Sequence, residues 1–146
     1  MKLHIFKQTQ VRVPRTSLLT LFTMITDAEA NPSRVGNINL VLTTDQQMQR
    51  LNRQFRGTDR TTDVLAFNID DPYSGDDVFG EVYISVPAAL RQARQYGATN
   101  SQELLRLVCH GLLHLFGYDH HRTGDARRMK AREGRYLKQL GITVEI

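Results

Sequence analysis

The 146-residue sequence has no tryptophan, one cysteine and four prolines. A lone cysteine, Cys109, cannot close an internal disulfide, which excludes a small disulfide-stapled scaffold and fits a reducing compartment. It lies in the apolar run Leu104 to Leu115, where a buried structural thiol is expected in place of a reactive one. Ten glycines and four prolines do not make a collagen or a low-complexity tail, and 23 % charged residues is not the composition of a disordered chain. Long apolar runs are also missing. The opening Met1-Lys2-Leu3-His4-Ile5-Phe6-Lys7 meets charge too soon for a signal-peptide core or a membrane span, so the expected compartment is the cytoplasm. With no tryptophan, and with tyrosine and phenylalanine at core-like spacing, no aromatic platform for stacking nucleobases is legible.

With 40 % apolar residues a chain of this length can bury a core without staples, and one compact domain over residues 1–146 is expected. Leu3 to Phe6 reads as a strand. Pro14 and Thr16 or Ser17 introduce a helix carrying Leu18, Leu21, Phe22 and Ile25, ended by Asn31-Pro32. Val35 to Thr43 alternates, placing Ile38, Leu40 and Leu42 on one buried face. Thr44-Asp45-Gln46-Gln47 has the form of a capping box, and Met48, Leu51 and Phe55 continue at helical spacing. After the polar loop Gly57 to Asp63, strands are expected at Val64 to Ile69 and near Val82 to Val86, joined by an acidic loop from Asp70 to Asp77. Pro87 suits the first turn of a helix closed by Gly97. A broad apolar helix begins near Asn100 and stops at Gly117, and a basic helix runs from about Asp125 to Leu140. The mixture predicts an α+β fold, a small mixed sheet packed with helices.

Four of the five histidines fall between His110 and His121. His110 and His114 are one helical turn, about 5.4 Å, apart on one face, the spacing at which two imidazoles can share a metal. Gly117 can turn the chain back and bring His120 round as a third ligand. Three nitrogens and one open position describe a catalytic zinc site better than a structural one. Iron, nickel and copper also accept imidazole. His121 is expected to point elsewhere and His4 to be an ordinary strand residue, while Asp119 could orient a ligating ring or cap the turn.

The ligand spacing equals that of the metzincin proteases, but Gly111 stands where those enzymes carry the glutamate that serves as general base for peptide hydrolysis. Glycine inside a helix is disfavoured by about 1 kcal/mol relative to alanine, so close approach to a neighbour or ligand is its expected purpose. The net charge is +4, and the cations are clustered. Arg50, Arg53, Arg56 and Arg60 surround one loop, while Arg122, Arg127, Arg128, Lys130, Arg132, Arg135 and Lys138 face only Asp125 and Glu133 in the last helix. Beside a metal able to activate water, this distribution points to a polyanionic substrate. The acidic residues Asp70, Asp71, Asp76 and Asp77 run against it and read as a solvated loop or a second cation site.

The segment His110 to His120 matches the pattern H-G-x-L-H-L-x-G-Y-D-H and resembles the YbeY family, bacterial ribosomal-RNA maturation factors described as zinc-dependent, single-strand-specific endoribonucleases. Leu51-Asn52-Arg53-Gln54-Phe55-Arg56-Gly57, Thr62-Asp63-Val64-Leu65 and Gly80-Glu81-Val82-Tyr83-Ile84 agree with it in order. The resemblance implies one Zn2+ held by His110, His114 and His120, and Arg56 as the basic residue of the active-site cleft. It further implies a metal helix like that of metzincins, and RNA, ribosomal RNA and the small ribosomal subunit as partners, with neither DNA nor a membrane. Thr61 stands where the family often has proline, and Ala66 where it often has serine, which bears on loop geometry. Water or the RNA 2′-hydroxyl could be the nucleophile. The competing classes are a non-catalytic, zinc-stabilised ribosome-assembly factor and a zinc hydrolase of peptides or small molecules.

Overall fold

The computed structural model describes residues 1–30, 36–69, 78–118 and 123–143. In chain order the elements are β1 (Leu3–Lys7), α1 (Arg15–Glu29), β2 (Asn37–Thr43), α2 (Asp45–Arg56), β3 (Val64–Asn68), β4 (Val78–Ser85), α3 (Val86–Tyr96), α4 (Asn100–Leu115) and α5 (Thr123–Gln139). The expected α+β architecture is present. The strands form one mixed sheet in the order β1-β2-β4-β3, with β1, β2 and β4 mutually parallel and β3 antiparallel to β4 at the edge.

Register decides which side chains share a face. Leu40 lies opposite Val82, and Ala66 opposite Val82, so with Ile38, Leu42 and Ile84 they join the main core under α1 and α4. On the reverse face Leu65 lies opposite Tyr83 and Phe67 opposite Glu81; there Met48 and Leu51 of α2 pack on Leu65, Phe67 and Tyr83. The helices therefore cover both sides of the sheet. Val41 and Thr43 are buried as well, so β2 is not the one-sided strand that its alternation suggests.

Local chemistry explains the boundaries. Thr44 accepts a hydrogen bond from the Gln47 amide, forming half of the expected capping box, while the Gln47 side chain accepts from Arg50 instead. The complete box is found at α4, where Thr99, one residue before the expected start, exchanges both bonds with Gln102. The fourth strand starts at Val78, earlier than Val82, and stops at Ser85 because the Ser85 hydroxyl caps α3 by accepting from Ala88. Asn31-Pro32, Val35 and the acidic Asp70 to Asp77 lie outside the described residues. Cys109 is fully buried, as expected, and burial together with the nearby Glu133 charge pushes its thiol pKa up. No helix among the described residues is long and apolar enough to cross a membrane.

Gly111 is the closest point between α4 and the sheet. A Cβ placed there would stand 2.6 Å from Val82 Cγ1 and 3.3 Å from Val64 Cγ2. Because β-branched valine has little rotamer freedom with which to retreat, Gly111→Ala is expected to destabilise the protein by about 1 to 3 kcal/mol despite alanine's better helix propensity. Urea denaturation checks this, and Val82→Ala in the same chain should recover part of the loss.

Asp45, the first residue of α2, ties that helix to α3. It accepts from the buried Ser85 hydroxyl at 2.6 Å and from Arg91 at 2.9 Å, and the Arg91 and Ser85 bonds outweigh partial burial to hold its carboxyl below the ordinary aspartate range. Arg91 is solvent-exposed, so that pair adds little; most of the cost of Asp45→Ala, about 1 to 2 kcal/mol at neutral pH, comes from stranding the Ser85 donor. A lowered folded pKa means that the ionic part of this stability is present above the unfolded pKa and lost as pH falls through the folded one. The gap in urea midpoint between wild type and Asp45→Ala should therefore shrink from about pH 5 to about pH 3.

Candidate active site

At the open edge of β3 the two covering helices meet across a cavity of about 170 Å³. From α2 it is lined by Asn52 and Arg56, from β3 by Val64 and Ala66, and from α4 by His110 and His114. Each group is placed by a local feature. Gly57, with φ 67°, ends α2 in a left-handed turn immediately after Arg56. The buried Asn52 then donates to the Arg60 carbonyl at 2.9 Å and folds the following loop back over the helix. Thr61, the position where proline is common, donates to the Asp45 backbone and side chain, so a hydroxyl anchors this loop here. Ala66, the other departure, contributes its carbonyl, which accepts from Arg56 Nη2 at 3.4 Å.

His110 and His114 come together as their spacing requires. Their rings are nearly parallel, 13° apart in plane, with centroids 6.5 Å apart. His114 Nδ1 lies 2.8 Å from the Tyr118 carbonyl; a carbonyl only accepts, so this nitrogen carries the proton. His110 Nδ1 pairs with the buried Glu133 carboxylate of α5, and since an ionised carboxylate only accepts, the ring N–H donates this hydrogen bond. Both imidazoles are thereby held in the tautomer whose Nε2 carries a lone pair, the form in which histidine ligates a metal. Two such nitrogens on one turn of helix fit a divalent ion such as zinc. Among the described residues no third His, Cys, Asp or Glu completes a cluster. The expected third ligand, His120, lies outside the described residues, as do Asp119, His121 and Arg122.

A carboxylate on α1 steadies the second histidine from further away. Glu29 accepts from Tyr136 at 2.6 Å and from Tyr118 at 3.0 Å, with Arg132 at 3.7 Å. Burial and the adjacent Glu29 raise both phenol pKa values, that of Tyr136 to about 12, so both stay donors. Tyr118 is thus pinned by its ring while its carbonyl positions His114.

Sequence reasoning passed over Glu133, Glu29 and Asn52. Only Glu133 left a usable signal: Met129, Glu133, Tyr136 and Leu137 share the i, i+4, i+7, i+8 spacing of a buried helix face, and all four are buried, so an acid among them needs a partner. A second, larger cavity of about 730 Å³ lies by the start of α4. Its carboxylates are already engaged, Glu103 by Arg106 and Glu133 by His110.

The chain matches a family model described as Endoribonuclease YbeY over residues 4–141. The Endoribonuclease YbeY of Moorella thermoacetica is 37 % identical over 148 residues, covering 93 % of this chain and 94 % of that protein. That of Anaeromyxobacter sp. is 43 % identical over 107 residues, covering 73 % of this chain. The chain spans only 56 % and 55 % of the length of the two Anaeromyxobacter relatives. The solution structure of TM1509 from Thermotoga maritima superposes with a TM-score of 0.63 at 30 % identity, covering 94 % of this chain and 88 % of that one. The same fold, the paired histidines on its central helix and the match over nearly the whole length agree: the chain belongs to the YbeY family.

Proposed function

We propose that residues 1–146 act as one metal-dependent endoribonuclease unit that hydrolyses single-stranded RNA. Within it His110, His114 and His120 hold Zn2+, and Arg56 is the catalytic cation. The observation that carries this reading is the parallel His110 and His114 pair, each fixed at Nδ1, lining one cleft with Arg56. When bound, zinc supplies Lewis acidity and an activated nucleophile at neutral pH.

The chain's own residues do the remaining work. Glu133 and the Tyr118 carbonyl hold the two rings so that neither must reorient during the reaction, which is the advantage of a preorganised site. Arg56, anchored at the Ala66 carbonyl and over the Phe67 ring at 5.8 Å, can donate to the non-bridging phosphate oxygens as charge grows on them. The nucleophile is water or the adjacent 2′-hydroxyl. The names of the relatives support RNA as substrate, and the exposed arginines of α2 and α5 support a polyanion. The finer reading is maturation and quality control of ribosomal RNA on the small ribosomal subunit, in the cytoplasm.

Peptide hydrolysis is disfavoured by two features of the cleft. Gly111 faces Val82 so closely that even a Cβ there would have to displace the valine, and Arg56 occupies a carbonyl of the edge strand to which an extended peptide would add.

The zinc-loaded protein should cleave a labelled single-stranded RNA. His114→Ala should lose both the metal, measured by elemental analysis, and cleavage. Arg56→Ala should retain the metal and lose on the order of a hundredfold or more in kcat. Folded, zinc-containing wild type that leaves RNA intact would favour the assembly-factor reading.

Glu133→Ala should weaken zinc binding by about tenfold to a hundredfold in competition with a chromophoric chelator. An unchanged affinity would remove Glu133 from the support of the site.

A further inference from the structure

Phe55 does not do what its spacing predicts. Met48 and Leu51 are buried on the reverse face of the sheet, but Phe55, four residues further along the same face of α2, is 58 % exposed. The cause is geometric. α2 lies over β3 and β4, β3 is the last strand of the sheet, and the helix ends at Arg56. Phe55 therefore overhangs the sheet edge beside the cleft.

It does not stand alone. Its ring centroid is 5.3 Å from that of Phe67, at a 57° tilt, and Phe67 meets Tyr83 edge-on at 5.9 Å. Tyr83 is itself fixed, its hydroxyl donating to Glu81, which also accepts from Asn39. The three rings run from the half-buried Tyr83 through Phe67 to the open Phe55, a supported ledge with one exposed end. Arg56 lies over Phe67 and also lines the histidine cleft, so ledge and cleft are continuous through a single guanidinium. Arg53 and Arg60 are exposed on the neighbouring turn and loop.

A flat π-surface next to cations matches a ligand that is itself a flat ring joined to phosphate. We propose that Phe55, backed by Phe67, stacks one unpaired nucleobase of an RNA strand whose phosphate is met by Arg56 in the cleft. This rests on the ribonuclease reading and deepens it. A base inside a duplex has both faces covered by its neighbours and cannot reach the ledge, so stacking on Phe55 gives this chain its own physical basis for preferring single strands. Another exposed aromatic residue, Phe6, lies on β1 at the far edge of the sheet, away from the cleft and its arginines.

The test is binding of a single-stranded oligoribonucleotide carrying 2-aminopurine, followed by fluorescence and anisotropy, for wild type, Phe55→Ala and Phe55→Tyr, beside the same strand annealed to its complement. Stacking on the ledge should quench the probe with wild type. Phe55→Ala should abolish the quench and weaken single-strand binding by on the order of five- to a hundredfold, while Phe55→Tyr restores both and duplex binding is unmoved. Wild-type affinity and quench in Phe55→Ala would overturn the ledge and leave the ribonuclease reading standing. Equal losses on single strand and duplex would make Phe55 a determinant of fold and overturn the ledge as well. Wild type that binds no RNA would overturn both.

Discussion

The contact between Gly111 and Val82 sets the distance between the central helix and the sheet, and the site depends on that distance. With a Cβ at 111 only 2.6 Å from a valine methyl, any larger residue would lift α4 off β4 or force the strand to move, because packed interiors yield little. His110 and His114 flank this point on the same helix, so the approach of the backbone at Gly111 holds both imidazoles at the edge of β3. A side chain at position 111 would have to displace Val82 and Val64 of the sheet beneath it.

A second constraint comes from α5. Its buried face carries Glu133 to His110, and Tyr136 to the Glu29 that also holds Tyr118. Buried carboxylates are costly unless they are paired and hydrogen-bonded. Here each one is, and the partners are the groups that orient the cleft. Polar interactions beneath the histidines therefore act mainly on geometry. The exposed cations of the same helix remain on its other side, where they can contribute to attraction of a polyanion over longer range.

What could be read from the sequence follows from how local each feature is. The histidine pair, the glycine between them, the end of α3 at Gly97 and the apolar stripe of α1 all depend on residues a few positions apart, and each is found as expected. Phe55 is exposed against the expectation from its spacing, because helical spacing says which face a residue is on, while only the strand order says where the sheet beneath it ends. β4 begins at Val78, before the expected Val82, and Gly80 and Glu81 hide this start by interrupting its alternation; a Cβ at Gly80 would meet Leu115 at 2.8 Å, a contact between residues far apart in sequence. Glu133 reads locally as one of two acids in a basic helix, since nothing near it in sequence announces that its partner is a histidine on α4.

The edge position of β3 bears on the proposed preference for RNA over peptide. An open strand edge offers backbone donors and acceptors, which a peptide can pair with and which invites aggregation unless blunted. In this chain Arg56 reaches over that edge to the Ala66 carbonyl. It satisfies an acceptor that a peptide would have used and leaves a positive charge in its place. The residue before it puts an aromatic ring on the same rim. Two consecutive side chains at the end of α2 thus replace main-chain pairing with a charge and a π-surface, and a strand made of phosphates and bases presents the complementary groups.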